Sequence, residues 1–209
     1  MKEIEYFYSA HSAYAYIGSR RLLEICAATG ARLVHRPITL SPVVEAAGAY
    51  PFAGRTKRHV DYYFGREIER WSEYRDVPVI NFRPTHHDNP LDLPNGVLIA
   101  AIVQGADVDA LAHGLLEAHW RDDIDLADPA ALSVAARGAG VDPDPLLDAA
   151  LSEQVQAIHR ANTEEAIARS VFGSPTYFVD GDMFYGQDHL ELVERALKQP
   201  FAAPGFINP

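Results

Sequence analysis

"YFYSAHSAYAYIG", residues Tyr6–Gly18, is where this chain declares its fold. Just upstream, Ile4, Tyr6 and Tyr8 alternate with Glu3, Glu5 and Phe7, which is strand periodicity in aromatic β-formers. From Ser12 onward the spacing changes. Ala15, Gly18, Leu22 and Cys26 fall on one helical stripe, and Gly30 is a fitting helix stop. A strand therefore turns directly into a helix, with Ser12 at the joint. Serine is a preferred helix cap, accepting a backbone N–H of the first turn. The joint has a second use. A helix N-terminus carries free N–H groups and partial positive charge, which lower the pKa of a thiol placed there. The chain owns a single cysteine, Cys26, which lies on the helical stripe and reads as a small core residue. A hydroxyl at the joint could instead donate a hydrogen bond to a sulfur that a bound molecule brings. His11 precedes Ser12, but consecutive side chains diverge, so it is a poor general base for Ser12.

Composition narrows the classes. With 209 residues the chain can form one core domain carrying an inserted second one. It is 48% hydrophobic and 22% charged, an ordinary globular balance. No apolar run reaches about 18 residues, so no membrane span is expected. The start, "MKEIEYFYSA", has glutamates where a signal peptide needs an apolar stretch, which points to the cytoplasm. One cysteine excludes an internal disulfide and a CxxC redox pair. A net charge of −11 argues against nucleic acid as a partner, because phosphate contacts need clustered Lys and Arg. An anionic small ligand needs only one local basic patch.

"ARLVHRPI" reads as a second strand, so the first forty residues are β-α-β, a parallel pair with a right-handed crossover. Ser41-Pro42 is expected to end that unit. From about Gly54 to Ser170 the pattern is helical. "GRTKRHVDYYFGREIERWSEY" has Val60, Tyr63, Phe64, Ile68 and Trp71 at helical spacing, and five further helical segments follow with Gly, Asp and Pro punctuation. "FRPTHHDNPLDLPNG" reads as a proline-rich surface loop. The end returns to strands: "SPTYFV", Asp180-Gly181 and "DMFYG" form a hairpin with a strong two-residue turn signal, and "DHLELVERALKQ" is a closing amphipathic helix. The order β-α-β … β-β-α is that of an α/β thioredoxin-like fold. Residues 1–42 and 171–209 would form the thioredoxin-like domain and 43–170 an all-helical insertion.

"YFYSAHSAYAYIG", "GSPTYFVDGDMFYGQDHLELVERAL" and the helical insertion between them together resemble the 2-hydroxychromene-2-carboxylate isomerase family. That family is related to the kappa-class glutathione transferases and, more distantly, to DsbA-type proteins. Its usual pattern is an Asp, two apolar residues, then Ser-Pro-aromatic-Ser-Tyr. Here Ser12 keeps the family's catalytic serine, Ser9 stands where the family has Asp, and Ala13 where it has Pro. The resemblance implies glutathione as cofactor, a small aromatic substrate, and a homodimer. It implies a thiolate that adds reversibly to a conjugated double bond, opens a chromene ring, allows cis–trans rotation and leaves again. Ser12 would hold that sulfur ionised.

The same resemblance implies the other stations of the site. Ser174-Pro175 is expected to be a cis bond opposite the helix start, offering the Ser174 backbone to the cysteinyl unit of glutathione. Gln187 and Asp188 stand where related transferases bind the γ-glutamyl end. A carboxylate at Asp188 suits an ammonium, although it could equally cap the last helix. The glycyl carboxylate needs a cation, and "RTKRH" offers Arg55, Lys57, Arg58 and His59. His11, Tyr14, Trp71 and Asn162 are candidates for the substrate pocket; Tyr16, Trp120 and Thr163 read mainly as core or helix-face residues. His86-His87-Asp88 lacks a metal-ligand spacing and reads as a polar loop, so no metal is expected. Two other functions stay open on the residues: a kappa-like transferase that consumes glutathione, and a redox-inactive thioredoxin-fold protein that binds partners.

Overall fold

The computed structural model describes residues 1–49, 54–205 and 207; residues 50–53, 206, 208 and 209 lie outside the description. The alternation in Glu3–Tyr8 produces strand β1, and the chain turns at once into helix α1, Ala13–Thr29. Gly30, at φ 67°, closes α1 by donating its N–H to the Cys26 carbonyl. Strand β2, Arg32–Pro37, then runs parallel to β1, with Glu3 opposite Arg32 and Tyr8 opposite Pro37. The C-terminal hairpin supplies β3, Thr176–Val179, antiparallel to β1, and β4, Asp182–Tyr185, antiparallel to β3. Asp180 and Gly181 join them at φ 51° and 86°, the positive angles a tight two-residue hairpin demands. The four strands lie in the order β2-β1-β3-β4. This is the thioredoxin arrangement expected from the element order.

The remaining helices are α2 (Leu40–Ala46), α3 (Lys57–Asp61), α4 (Glu67–Arg75), α5 (Asp92–Gln104), α6 (Val108–Asp122), α7 (Pro129–Gly138), α8 (Asp144–Ala150), α9 (Glu153–Ala168) and α10 (Leu190–Lys198). A π-helical turn at Tyr62–Arg66 joins α3 to α4, and a 3-10 turn at Gln187–His189 leads into α10. Thr56, Asp107, Asp128 and Ser152 start four of the helices by accepting a first-turn N–H on the side chain. None of the described helices is long and apolar enough to cross a membrane.

Period-2 alternation in β1 divides the core. Ile4, Tyr6 and Tyr8 enter the main cluster with Ile17, Leu22, Tyr177 and Val193, while Phe7 faces Ile38, Val43, Ala166 and Phe178 on the other side of the sheet. Tyr6 stacks on Tyr8 and Tyr177 at ring separations of 4.0 and 5.4 Å. Helices thus cover both faces of the sheet.

Two local expectations are corrected. Pro42 does not end the first unit; it sits in the first turn of α2, where a proline's missing N–H would have no intrahelical partner anyway. The segment through Gly96 is not all surface loop either. Helix α5 begins at Asp92 and buries Asn95 and Gly96. Gly96 is needed for close approach: a Cβ there would stand 2.3 Å from the Ala150 carbonyl oxygen at the end of α8.

Candidate active site

The site is built where β1 ends. Ser12 has extended backbone angles (φ −73°, ψ 120°), and its Oγ accepts the Ala15 N–H at 3.3 Å, so it does cap α1. The same oxygen donates to the Ser174 carbonyl at 3.1 Å. Ser174-Pro175 is a cis bond and brings the start of β3 against the start of α1. Ser174 also accepts the Ser9 N–H on its own hydroxyl at 3.1 Å. The Ser12 hydroxyl is therefore held at both ends, one bond to a helix N–H and one to a carbonyl, and its residue is 7% exposed. A hydroxyl in this position can turn its proton from the carbonyl to a nearby anion while keeping the Ala15 N–H, which polarises it.

A cleft of about 190 Å³ opens beside Ser174. Tyr14, Tyr63, Trp71 and Tyr185 give it aromatic walls, and Glu67, Gln187, Asp188 and His189 give it polar ones. Ser12 lies behind Ser174, not on the cleft wall itself. Burial pushes the Tyr14 and Tyr63 phenols well above their ordinary range, so both stay protonated at neutral pH. The Tyr14 hydroxyl donates to the Tyr63 carbonyl, which ties α1 to the π-helical turn.

Gln187 is 1% exposed. Arg75 donates to its Oε1 and to its carbonyl, both at 3.1 Å, and pairs with Glu191 at 2.8 Å. The Gln187 amide nitrogen has no partner among the described residues, so the cleft wall contains a buried donor without an acceptor. Such a group is costly unless something meets it. Asp188 is not a helix cap: neither the 3-10 turn nor α10 has a side-chain cap bond. Its carboxylate folds over Gly186, where a Cβ would meet Asp188 Oδ1 at 2.3 Å. A glycine at φ 97° makes room for it. An orphan amide donor next to a carboxylate suits an amino acid headgroup, donor to carboxylate and carboxylate to ammonium. The residues present thus fit the γ-glutamyl end of glutathione.

The other candidates fall elsewhere. Lys57 pairs with Asp61 one turn on, at 2.7 and 2.5 Å, and is exposed. Arg55 stacks its guanidinium 5.0 Å above the Phe64 ring. Neither lines the cleft, although the charge of Arg55 reaches Tyr63 there. Arg58 and His59 are exposed. Asn162 is buried beneath the sheet end, donating to the Pro37 carbonyl at 3.2 Å, so it is not a pocket residue. Its neighbour Thr163 accepts the Thr39 N–H at 3.0 Å. Cys26 is half-buried, and burial pushes its thiol up to about 11, opposite to a reactive cysteine. Tyr16 donates to the Pro78 carbonyl at 2.8 Å as a core residue.

His11 turns away from the cleft. Its Nδ1 is 2.9 Å from Ser9 Oγ, and its ring lies 4.6 Å from that of His87. His87 Nδ1 meets His119 Nε2 at 2.9 Å, and His119 Nδ1 reaches the Ile124 carbonyl at 3.0 Å. That carbonyl fixes the chain of tautomers. His119 donates from Nδ1, accepts on Nε2, and so receives its bond from His87 Nδ1. Burial lowers the pKa of all three, and the mutual charge of the cluster lowers it further for His11 and His87. His87 is brought down to about 3. No group of three His, Cys, Asp or Glu among the described residues has metal-binding geometry. The Ser9–His11 pair forms inside the turn after β1, which the Ser12 N–H closes onto the Ser9 carbonyl, so strand periodicity gives no signal for it.

Comparison with known proteins places this geometry. The model of the DSBA-like thioredoxin domain matches residues 3–198. The chain belongs to the DsbA-like thioredoxin family. Within it, the chain is similar to the 2-hydroxychromene-2-carboxylate isomerase of Sphingobium xenophagum, at 27% identity over 94% of this chain and 98% of the relative. The isomerase of that name from Pseudomonas sp. (strain C18) is 25% identical over 93% of this chain and 89% of its own length. Among solved structures, a 2-hydroxychromene-2-carboxylate isomerase superposes with a TM-score of 0.76 at 22% identity, over 94% of this DsbA-like chain and 95% of that one.

Proposed function

We propose that this DsbA-like protein is a cytoplasmic, glutathione-dependent isomerase of the 2-hydroxychromene-2-carboxylate type, acting on a small aromatic substrate. One observation carries the reading. The residue at the α1 start is a serine whose hydroxyl is bonded to Ala15 N–H and to the Ser174 carbonyl beside the cleft. An oxygen there can donate to a sulfur but cannot form a disulfide with it, so the site is suited to holding a thiolate that must leave again unchanged. Full-length similarity to proteins carrying the isomerase name supports the choice of reaction.

When bound, glutathione supplies a thiolate that adds to a conjugated carbon and is later expelled, with no net redox change. The chain's own groups do the rest. Ser12 turns its proton toward the sulfur, and the N-terminal field of α1 favours the ionised form. Asp188 and the Gln187 amide hold the γ-glutamyl headgroup. Tyr14, Tyr63, Trp71 and Tyr185 bracket a planar ring and keep water from it. Arg55 and Lys57 are the candidate cations for the glycyl carboxylate, and the charge of Arg55 already reaches Tyr63 on the cleft wall.

The test is a thermal shift with reduced glutathione on the wild type and on Asp188→Ala, followed by an assay for isomerisation of the chromene substrate. Saturation at about 100 times Kd stabilises by roughly 2.7 kcal/mol, or about 5–10 °C for a chain of this size. The expected result is a clear shift that Asp188→Ala weakens, with the thiol concentration constant during turnover. A steady loss of thiol would replace isomerisation by conjugation. No shift at millimolar glutathione would end the reading.

A further inference from the structure

Ser12 is useful only if the turn that carries it is fixed, and several polar bonds of that turn can be followed. The Ser9 N–H goes to Ser174 Oγ, and the Ser9 carbonyl accepts the Ser12 N–H at 3.0 Å. The Ser12 carbonyl accepts the Tyr16 N–H at 3.0 Å as the first bond of α1. Among the groups between them are the Ala10 N–H and the His11 carbonyl. Both are met by side chains from the helical segment. The Ala10 N–H donates to Asn95 Oδ1 of α5 at 3.1 Å. Trp120 Nε1 of α6 donates to the His11 carbonyl at 2.8 Å.

Neither partner is incidental. Asn95 is completely buried, and its amide nitrogen lies 3.1 Å from both the Ile38 carbonyl after β2 and His159 Nε2 of α9. One side chain thus ties the Ser12 turn, the end of β2 and two insertion helices together. Trp120 is 5% exposed, and its ring is packed edge-on by His87 and His119. Of these imidazoles, His87 also stands against the His11 ring.

We infer that Asn95 and Trp120 are positioning residues for Ser12, clamping the peptide groups on either side of the Ala10–His11 bond so that the hydroxyl stays aligned with the first turn of α1 and with Ser174. The inference rests on the reading that Ser12 serves a sulfur at that spot. It assigns part of the site to helices that supply no residue to the cleft wall. A buried amide with all its groups matched could instead be there only for stability, and the test separates the two.

The experiment needs no glutathione. In a Ser12→Cys, Cys26→Ala background the new thiol reports on the joint, and its pKa is read from the pH dependence of iodoacetamide alkylation. The expected result is a thiol pKa well below the usual value of about 8.5. Adding Trp120→Phe, which keeps a ring in the packing and removes only the N–H, should raise that pKa and slow alkylation at neutral pH by about three- to tenfold. Asn95→Ala should do the same more strongly, with melting temperatures recorded alongside. If both variants lower the melting temperature but leave the thiol pKa in place, the residues are merely structural and the inference falls. If Asn95→Ala does not fold, Trp120→Phe alone decides. Failure of glutathione to bind the wild type would remove the proposed function without touching this result, and a lowered thiol that ignores both substitutions would do the reverse.

Discussion

The histidine cluster makes a quantitative demand on acid stability. His87 is held neutral, with its pKa down at about 3 against an ordinary 6.5, chiefly by burial and then by His119 and Arg83; Asp88 opposes them. The sign follows from proton counting. Between those two values the unfolded chain carries a proton on this residue and the folded chain does not, so unfolding takes up a proton and stability falls as pH falls. Going from about pH 8 to about pH 5, His87 alone costs about 2 kcal/mol, which is about 4–8 °C in melting temperature for a chain of this length. Burial lowers His11, His113, His119 and His159 in the same direction, so they add to the loss. Against a total stability of roughly 5–15 kcal/mol, a steep acid transition is expected above the carboxylate range. Urea unfolding followed by circular dichroism at stepped pH measures the slope. His87→Phe keeps a ring between His11 and His119 and removes the titration. It should be less stable at neutral pH, because His119 Nε2 loses its donor, yet flatter by about one proton in the acid limb. A stability that does not change between about pH 8 and pH 5, or an unaltered slope in His87→Phe, would refute the assignment of neutral, desolvated imidazoles.

Further expectations can be checked singly. Ser12→Ala should leave the melting temperature within a few degrees of wild type and slow turnover on the order of 10²-fold, the usual cost of one transition-state donor, as steady-state kinetics would show. Cys26→Ser should leave the rate intact, since the half-buried Cys26 thiol is pushed away from ionisation; a large loss would mean that the reactive sulfur had been misplaced. Gly96→Ala should destabilise by about 1–3 kcal/mol, because the Ala150 carbonyl stands where the methyl would go, and differential scanning calorimetry would read it as a lowered melting temperature.

How much of this was legible in the residues depends on how local the signal is. The alternation of Ile4, Tyr6 and Tyr8, the cap at Ser12 and the Asp180-Gly181 turn are short-range statements, and each produced the element it announces. The element order then fixed which ends meet, so Ser12 and Pro175 come together across most of the chain's length. Contacts carried by the insertion left no such trace. Asn95 reads as one polar residue in an apolar helix, and only packing shows that it meets Ala10, Ile38 and His159 at once. Charge was misleading in a related way. The "RTKRH" cluster stands out in an acidic chain, yet its Lys57 is satisfied locally by Asp61, while Arg70 and Arg75, in a helix of mixed charge, meet Glu67 and Gln187 of the cleft wall. Ser41-Pro42 marks a boundary after β2 in the sequence, but a proline is also tolerated in the first turn of a helix, and that is where α2 places it.

The central claim is that Ser12 holds a bound thiol ionised, and titrating that thiol tests it most directly. Glutathione is bound to the wild type and to Ser12→Ala, and thiolate absorbance near 240 nm is followed against pH. The account predicts a bound thiol that ionises well below its free value in the wild type and returns toward that value in Ser12→Ala, with binding retained. Identical titrations in the two proteins would contradict it, leaving Ser12 as a helix cap and nothing more.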